Sequence, residues 1–249
     1  MTHKLAVFIF LTALSSAVFG QTETPKKMSR RPDIPGTFAL EFGFNQDLSG
    51  PDEFDLGFWG SRSVNLYYQY DIRILKSSFS FVPGIGLSLE RYKFSNDNTL
   101  AYADGDPNSI VMVPPADAGF DDIRKSQLIT NYVEVPLEIR YSTKPEDPAR
   151  SFKISVGGRI GYLYDSFTKI KYKEDGELKK LKNKEDFNLN QIRYGLTGRI
   201  GLGNFSLFCY YNLSPLFEDG KGLSDIISSE NTVKNDFNTI TIGISLASF

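Results

Sequence analysis

Glu134 and Glu138 stand four residues apart in Asn131-Tyr132-Val133-Glu134-Val135-Pro136-Leu137-Glu138. In a strand, even spacing puts both carboxylates on one face, the arrangement that general acid–base hydrolysis uses. The competing reading is structural, each carboxylate being held in an ion pair. Histidine chemistry is excluded on different grounds. His3 is the only histidine, and a basic start at Met1-Thr2-His3-Lys4, an apolar run from Leu5 to Phe19, then Gly20-Gln21 reads as a secretory signal peptide cleaved after Gly20. Without His3 there is no Ser-His-Asp or Cys-His catalysis and no histidine metal site. Cys209, the single cysteine, forms no internal disulfide and reads as a small packing residue in an apolar strand. The segment Asp104-Gly105-Asp106-Pro107-Asn108 resembles a calcium loop only briefly, because Ser109 stands where glycine is needed and Pro115 where glutamate is needed. No cofactor and no metal are expected.

The elements that must carry these residues are strands. The chain has 249 residues, 20 Phe, 13 Tyr and 21 Gly, a mixture suited to pleated surfaces. A formal charge of -2 gives no field for nucleic acid, which is not expected as a partner. Residues 21–35 form a polar, flexible lead, and from Gly36 to Phe249 the period is two. Phe38, Leu40, Phe42 and Phe44 alternate with polar or small residues, and the pattern repeats in seven more segments. These run through Val64–Ile72, Phe79–Glu90, Ile129–Tyr141, Phe152–Asp165, Gln191–Leu202, Phe205–Leu213 and Thr239–Leu246. Short links (75–78, 142–151, 203–204) alternate with long polar ones, the longest over about 95–126. The expected fold is all-β, a closed antiparallel transmembrane up-and-down β-barrel of about eight strands with its long loops outside the cell.

Periodicity does not say which face points inward, so a soluble barrel with an apolar cavity competes with a membrane barrel that inverts it. Three features favour the membrane form. Phe38, Phe79, Phe81, Tyr141, Phe152 and Phe205 gather at the short-turn rim as an interfacial girdle. The polar face is rich in Gly and Ser, as a narrow lumen requires. That face also carries Glu41, Asp71, Glu90, Glu134, Glu138 and Asp165 against Arg73, Arg140, Lys153, Arg159, Arg193 and Arg199, equal numbers of each sign. Enclosed charges must be paired, so these twelve are expected to form a lumen salt-bridge network.

The stretch Lys125-Ser126-Gln127-Leu128 and Asn131 through Tyr141, above all its Tyr, Glu, Pro-Leu pattern, resembles the central strand of the PorT-like outer-membrane β-barrel family of Bacteroidetes. Gly84-Ile85-Gly86-Leu87-Ser88 and Tyr210-Tyr211-Asn212-Leu213-Ser214-Pro215-Leu216-Phe217 agree. The resemblance, spanning 36–249, implies an outer-membrane barrel; the namesake's link to a secretion apparatus is not carried over. A terminal Phe249 suits recognition by the barrel-assembly machinery, although its parity is opposite to that of Ile240, Ile242, Ile244 and Leu246.

These readings make the protein a non-enzymatic outer-membrane barrel with a packed polar lumen and a structural, envelope-interaction or surface-binding role. Its expected partners are outer-membrane lipid and lipopolysaccharide, the assembly machinery, and envelope or secretion proteins. An accessory subunit of a secretion apparatus and a soluble periplasmic carrier of a small apolar ligand are the alternatives. The loop bearing Lys169, Lys171, Lys173, Lys179, Lys180, Lys182 and Lys184 reads as a solvated hairpin, with contact to lipopolysaccharide phosphates as a second reading. Phe54, Leu56, Phe58 and Trp59 suit either a flap over the barrel mouth or a partner surface.

Overall fold

The computed structural model describes residues 36–48, 50, 54–103, 106–114, 117, 122–219, 221–224, 233–234 and 238–248. The expected signal peptide, the lead over 21–35 and the terminal Phe249 lie outside them. The strands are β1 (Thr37–Asp47), β2 (Arg62–Gln69), β3 (Ile72–Arg73), β4 (Phe79–Lys93), β5 (Thr99–Ala103), β6 (Asp106–Val113) and β7 (Ile123–Ser142). They continue as β8 (Phe152–Glu174), β9 (Glu177–Asn183), β10 (Ile192–Leu202), β11 (Phe205–Asn212), β12 (Leu223–Ser224), β13 (Val233–Lys234) and β14 (Thr239–Ser248).

Eight of these close a ring in the order β1-β2-β4-β7-β8-β10-β11-β14, and β14 returns to β1, every neighbour antiparallel. The pairing runs from Phe38 to Tyr68, Ile85, Val135, Ile160 and Tyr194, and on through Leu213 and Asn238. It regains β1 at Leu48, where the Leu48 amide donates to the Asn238 carbonyl. That stagger of about ten residues tilts eight strands by roughly 40° and leaves an interior only wide enough for side chains.

Alternation fixes the faces and inverts the usual rule of burial. Along β2 and β10, Val64, Leu66, Leu196 and Ile200 are exposed, while Ser63, Asn65, Tyr67, Arg193, Thr197 and Arg199 are buried. Leu66 is 48% and Leu196 56% exposed, whereas Glu41 and Glu134 are 0% exposed. A soluble protein does not leave so continuous an apolar wall in water. The exterior is therefore the lipid-facing surface, and the soluble apolar-ligand carrier is overturned: its cavity would lie where Arg and Glu side chains are packed.

The short links are tight. Leu75 and Lys76 (φ 48° and 55°) turn β3 into β4, a 3-10 turn at Pro148–Arg150 precedes β8, and Gly203 (φ 59°) turns β10 into β11. Phe38 and Tyr68 (ring centres 5.2 Å apart), Phe79 and Tyr141 (5.3 Å), Phe152 and Phe205 lie on this rim.

The long-loop end differs from the expectation of featureless polar links. Within 95–126, β5 and β6 pair, and β6, β12 and β13 extend them into a second, four-stranded sheet. β8 runs on beyond the ring and folds back as β9 through Asp175-Gly176. The apolar run Ile110-Val111-Met112-Val113 was the available signal for β6, but without alternation it does not read as a half-exposed strand.

Candidate functional site

The lumen is filled by one connected chain of charges. At its short-turn end, Arg199 reaches Glu138 through Nε at 2.9 and 3.1 Å, and also contacts Glu41 and Ser245 Oγ (3.0 Å). Glu41 in turn pairs with Arg159 at 3.2 Å and accepts from Asn65 at 2.9 Å. Arg159 donates to the Tyr67 hydroxyl at 3.0 Å and to Thr197 at 3.1 Å, and Tyr67 donates to Glu134. Arg193 binds Glu134 at 2.8 Å, Glu90 at 2.7 Å and Ser88 at 2.8 Å, and Tyr92 donates to Glu90 at 2.6 Å. Arg193 also lies 3.7 Å from the centre of the Tyr132 ring.

Glu134 and Glu138 thus share a face, yet each is engaged by its own arginine and both are buried. Both carboxylates are therefore committed to ion pairs inside the lumen. Nearer the short-turn mouth, Arg140 pairs with Asp71 at 3.0 Å, and Lys153 donates to the Gly203 carbonyl at 3.1 Å. A space of about 20 Å³, roughly one water, lies among Ala39, Gln69, Arg140, Lys153, Arg199 and Ala247, and a larger one of about 290 Å³ opens toward the turns beside Asp71, Arg73, Lys144 and Lys153.

Two of the twelve charged residues lie elsewhere. The second strand breaks at Tyr70-Asp71, so Arg73 falls in the turn region, where it pairs with Glu146 and donates to the Ser77 carbonyl at 2.8 Å. Asp165 is moved by a β-bulge. Tyr132 stands opposite Leu163 while Asn131 stands opposite Asp165, so β8 holds one extra residue there. The parity flips, Asp165 joins the outer row, and it pairs with Lys184 at 3.0 Å. Tyr67, Tyr92 and Tyr132, by contrast, belong to the network although charge counting passes over them; aromatics on a polar parity were the signal.

The glycines of the polar face make room for these rings. Gly86 stands directly opposite Tyr67, and a Cβ there would collide with the Leu66 carbonyl and the Tyr67 ring.

The other mouth is sealed by apolar side chains. Phe54, Leu56, Tyr92, Phe94, Leu100, Ile110, Met112, Leu128, Phe187, Leu189, Leu216, Phe217 and Leu223 form one buried cluster, with Tyr102 and Leu163 against it. The first loop therefore divides: Phe54 and Leu56 enter the cap, whereas Phe58 and Trp59 go to the outer wall. Beside the cap, a cavity of about 730 Å³ opens between β5–β6 and the β8–β9 hairpin, lined by Leu100, Tyr102, Val111, Ile170 and Leu181 among others. Tyr102 donates to Asp186 at 2.5 Å. Burial and that carboxylate push the Tyr102 phenol up to about 12, and the same hydrogen bond holds Asp186 below its ordinary range.

Trp59, the only tryptophan, is 77% exposed. Its ring meets Phe58 edge-on at 5.2 Å and Phe44 at 5.6 Å, an aromatic group of the kind that sits at a membrane–water interface. On reconstitution into vesicles, Trp59 emission is expected to shift to the blue and to be quenched more by lipids brominated near the glycerol than at the chain end. Emission unchanged by lipid would place this wall in water.

Residues 20–218 match the family described as outer membrane protein beta-barrel domain. The chain belongs to that family. This agrees with the inverted burial, and the protein is an outer-membrane β-barrel. No curated protein matches the chain. Among solved structures, members of this barrel class are similar to it. One is Ail, the attachment invasion locus protein of Yersinia pestis, solved with the heparin analogue sucrose octasulfate. It is 13% identical, the match covers 86% of this chain and 100% of Ail, and the TM-score is 0.34. Neisserial surface protein A is 12% identical over 86% of this chain and 96% of its own, also with a TM-score of 0.34.

Proposed function

We propose that this outer-membrane barrel works without catalysis as a closed, rigid post that carries its long-loop end as an interaction surface outside the cell. The observation behind this reading is the obstruction of the lumen in its middle and at its long-loop mouth. Ion pairs fill the middle, and the Phe54–Phe94 cluster seals the long-loop mouth. A conduit would leave a continuous polar path, and an eight-stranded wall has little width to spare for one.

Topology is tested by cysteine labelling. With Cys209 replaced by Ser, cysteines introduced at Asp106 and at Gly176 should each react with a membrane-impermeant maleimide on intact cells. Reaction only after the outer membrane is breached would reverse the orientation.

Within the barrel family, PorT-like kinship remains a narrower reading, supported by the Tyr132, Glu134 and Pro136-Leu137 pattern. Partners in this proposal are outer-membrane lipid and lipopolysaccharide around the wall, the barrel-assembly machinery during insertion, and envelope or secretion proteins at the loops. An accessory role in export would show as loss of secreted cargo on deletion of the gene.

A further inference from the structure

Beyond the apolar wall, five adjacent strands continue their outward rows with basic residues. Arg62 stands opposite Arg91 on β2 and β4, two positions beyond Val64 and Leu89, which are exposed and apolar. Lys93 stands opposite Gln127, Gln127 opposite Lys169, and Lys169 opposite Lys182. Lys125 stands opposite Lys171, and Lys171 opposite Lys180. The bulge that moved Asp165 also turns Phe167, Lys169 and Lys171 to the outer row, and Lys182 Nζ lies 3.6 Å from the centre of the Phe167 ring.

Like charges directly opposite one another destabilise a sheet, and here there are four such pairs: Arg62 with Arg91, Lys125 with Lys171, Lys169 with Lys182 and Lys171 with Lys180. The acids flanking the patch are already engaged: Glu174 with Lys179 at 2.5 Å, Asp165 with Lys184 at 3.0 Å and Asp122 with Arg124 at 3.0 Å. None of the eight patch cations forms an ion pair among the described residues. The cluster therefore favours an anion that bridges several strands. Its height decides which one. The patch begins where the apolar wall ends, at the level of lipid headgroups, and it faces sideways along the membrane surface.

We propose that this patch binds the phosphate groups of membrane-lipid headgroups, as borne by a phosphorylated glycolipid. The proposal rests on the membrane-embedded reading of the wall, which Trp59 quenching and heat-modifiable gel migration test separately. Native mass spectrometry of the detergent-purified, folded barrel titrated with diphosphoryl lipid A is the experiment. The wild type should retain this lipid at least tenfold more tightly than dephosphorylated lipid A. Combined Lys169→Gln, Lys171→Gln, Lys180→Gln and Lys182→Gln substitution should weaken retention about tenfold, while Lys76→Gln with Lys144→Gln at the opposite rim leaves it unchanged. Equal binding of the phosphate-free lipid, or undiminished binding by the fourfold variant, overturns the proposal. So does tighter binding of inositol hexakisphosphate than of diphosphoryl lipid A, which would make the ligand a soluble polyanion. If the fourfold variant does not fold, Lys182→Gln and the two lipids on the wild type decide the matter alone.

Discussion

Arg193→Leu is expected to destabilise the folded barrel by about 3–5 kcal/mol, the cost of leaving buried charge without its partner. Arg193 holds Glu90 and Glu134 together at 2.7 and 2.8 Å and is 4% exposed in its side chain. Leucine supplies neither charge nor donors, so two carboxylates and Ser88 lose their common partner inside a narrow lumen. The midpoint of urea unfolding in lipid vesicles, read by gel migration without boiling, measures the loss. Adding Glu134→Gln to Arg193→Leu should restore part of it, since one stranded charge is removed. Arg73→Leu provides the contrast. Its pair with Glu146 is exposed, and such pairs contribute about 0–1 kcal/mol. Equal effects at Arg193 and Arg73 would mean that the lumen is wet and its charges are screened.

Leu196→Arg should cost about 2–4 kcal/mol, the range for a cation on the lipid face near the membrane midplane. Leu196 lies near the middle of β10 and is 56% exposed. On the surface of a soluble protein the same change would be nearly neutral. The measurement is again unfolding in vesicles, with Leu202→Arg at the rim as the graded comparison, where the cost should fall to about 0–1 kcal/mol. A neutral Leu196→Arg would place β10 in water and remove the wall from the membrane.

The alternation that predicts both results was plain in the sequence, because eight segments of period two leave few architectures open. The seventh strand of the full set, β7, agrees with its sequence reading through Tyr141, and the short turns lie where the links are shortest. What escaped is set by contacts remote in sequence. The stagger, not the alternation, decides that Arg193 of β10 reaches across the lumen to Glu90 of β4 and Glu134 of β7. Charge balance could be counted, but partners could not be assigned. A single extra residue near Leu163 reverses the outward row of β8, and its only local mark is the unbroken apolar triplet Tyr162-Leu163-Tyr164, so simple alternation puts Asp165 on the inner face. Phe54 and Leu56 were legible as a flap over the mouth, but the sheet beside them was not, because β12 and β13 are two residues long, β12 pairing with β6 and β13 only with β12.

The seam between the first and last strands gives the charge network a second meaning. Glu41 belongs to β1, which meets β14 over Phe38–Asp47, while its partners Arg159 and Arg199 stand on β8 and β10. A sheet that has formed every other pairing but stays open at this seam leaves Glu41 and its two arginines apart. Closing it joins the first and last strands of the ring and completes the ion pairs in a single event. The interior thereby works as a self-check on assembly: a nearly finished circle is separated in energy from a finished one by the arrival of one carboxylate.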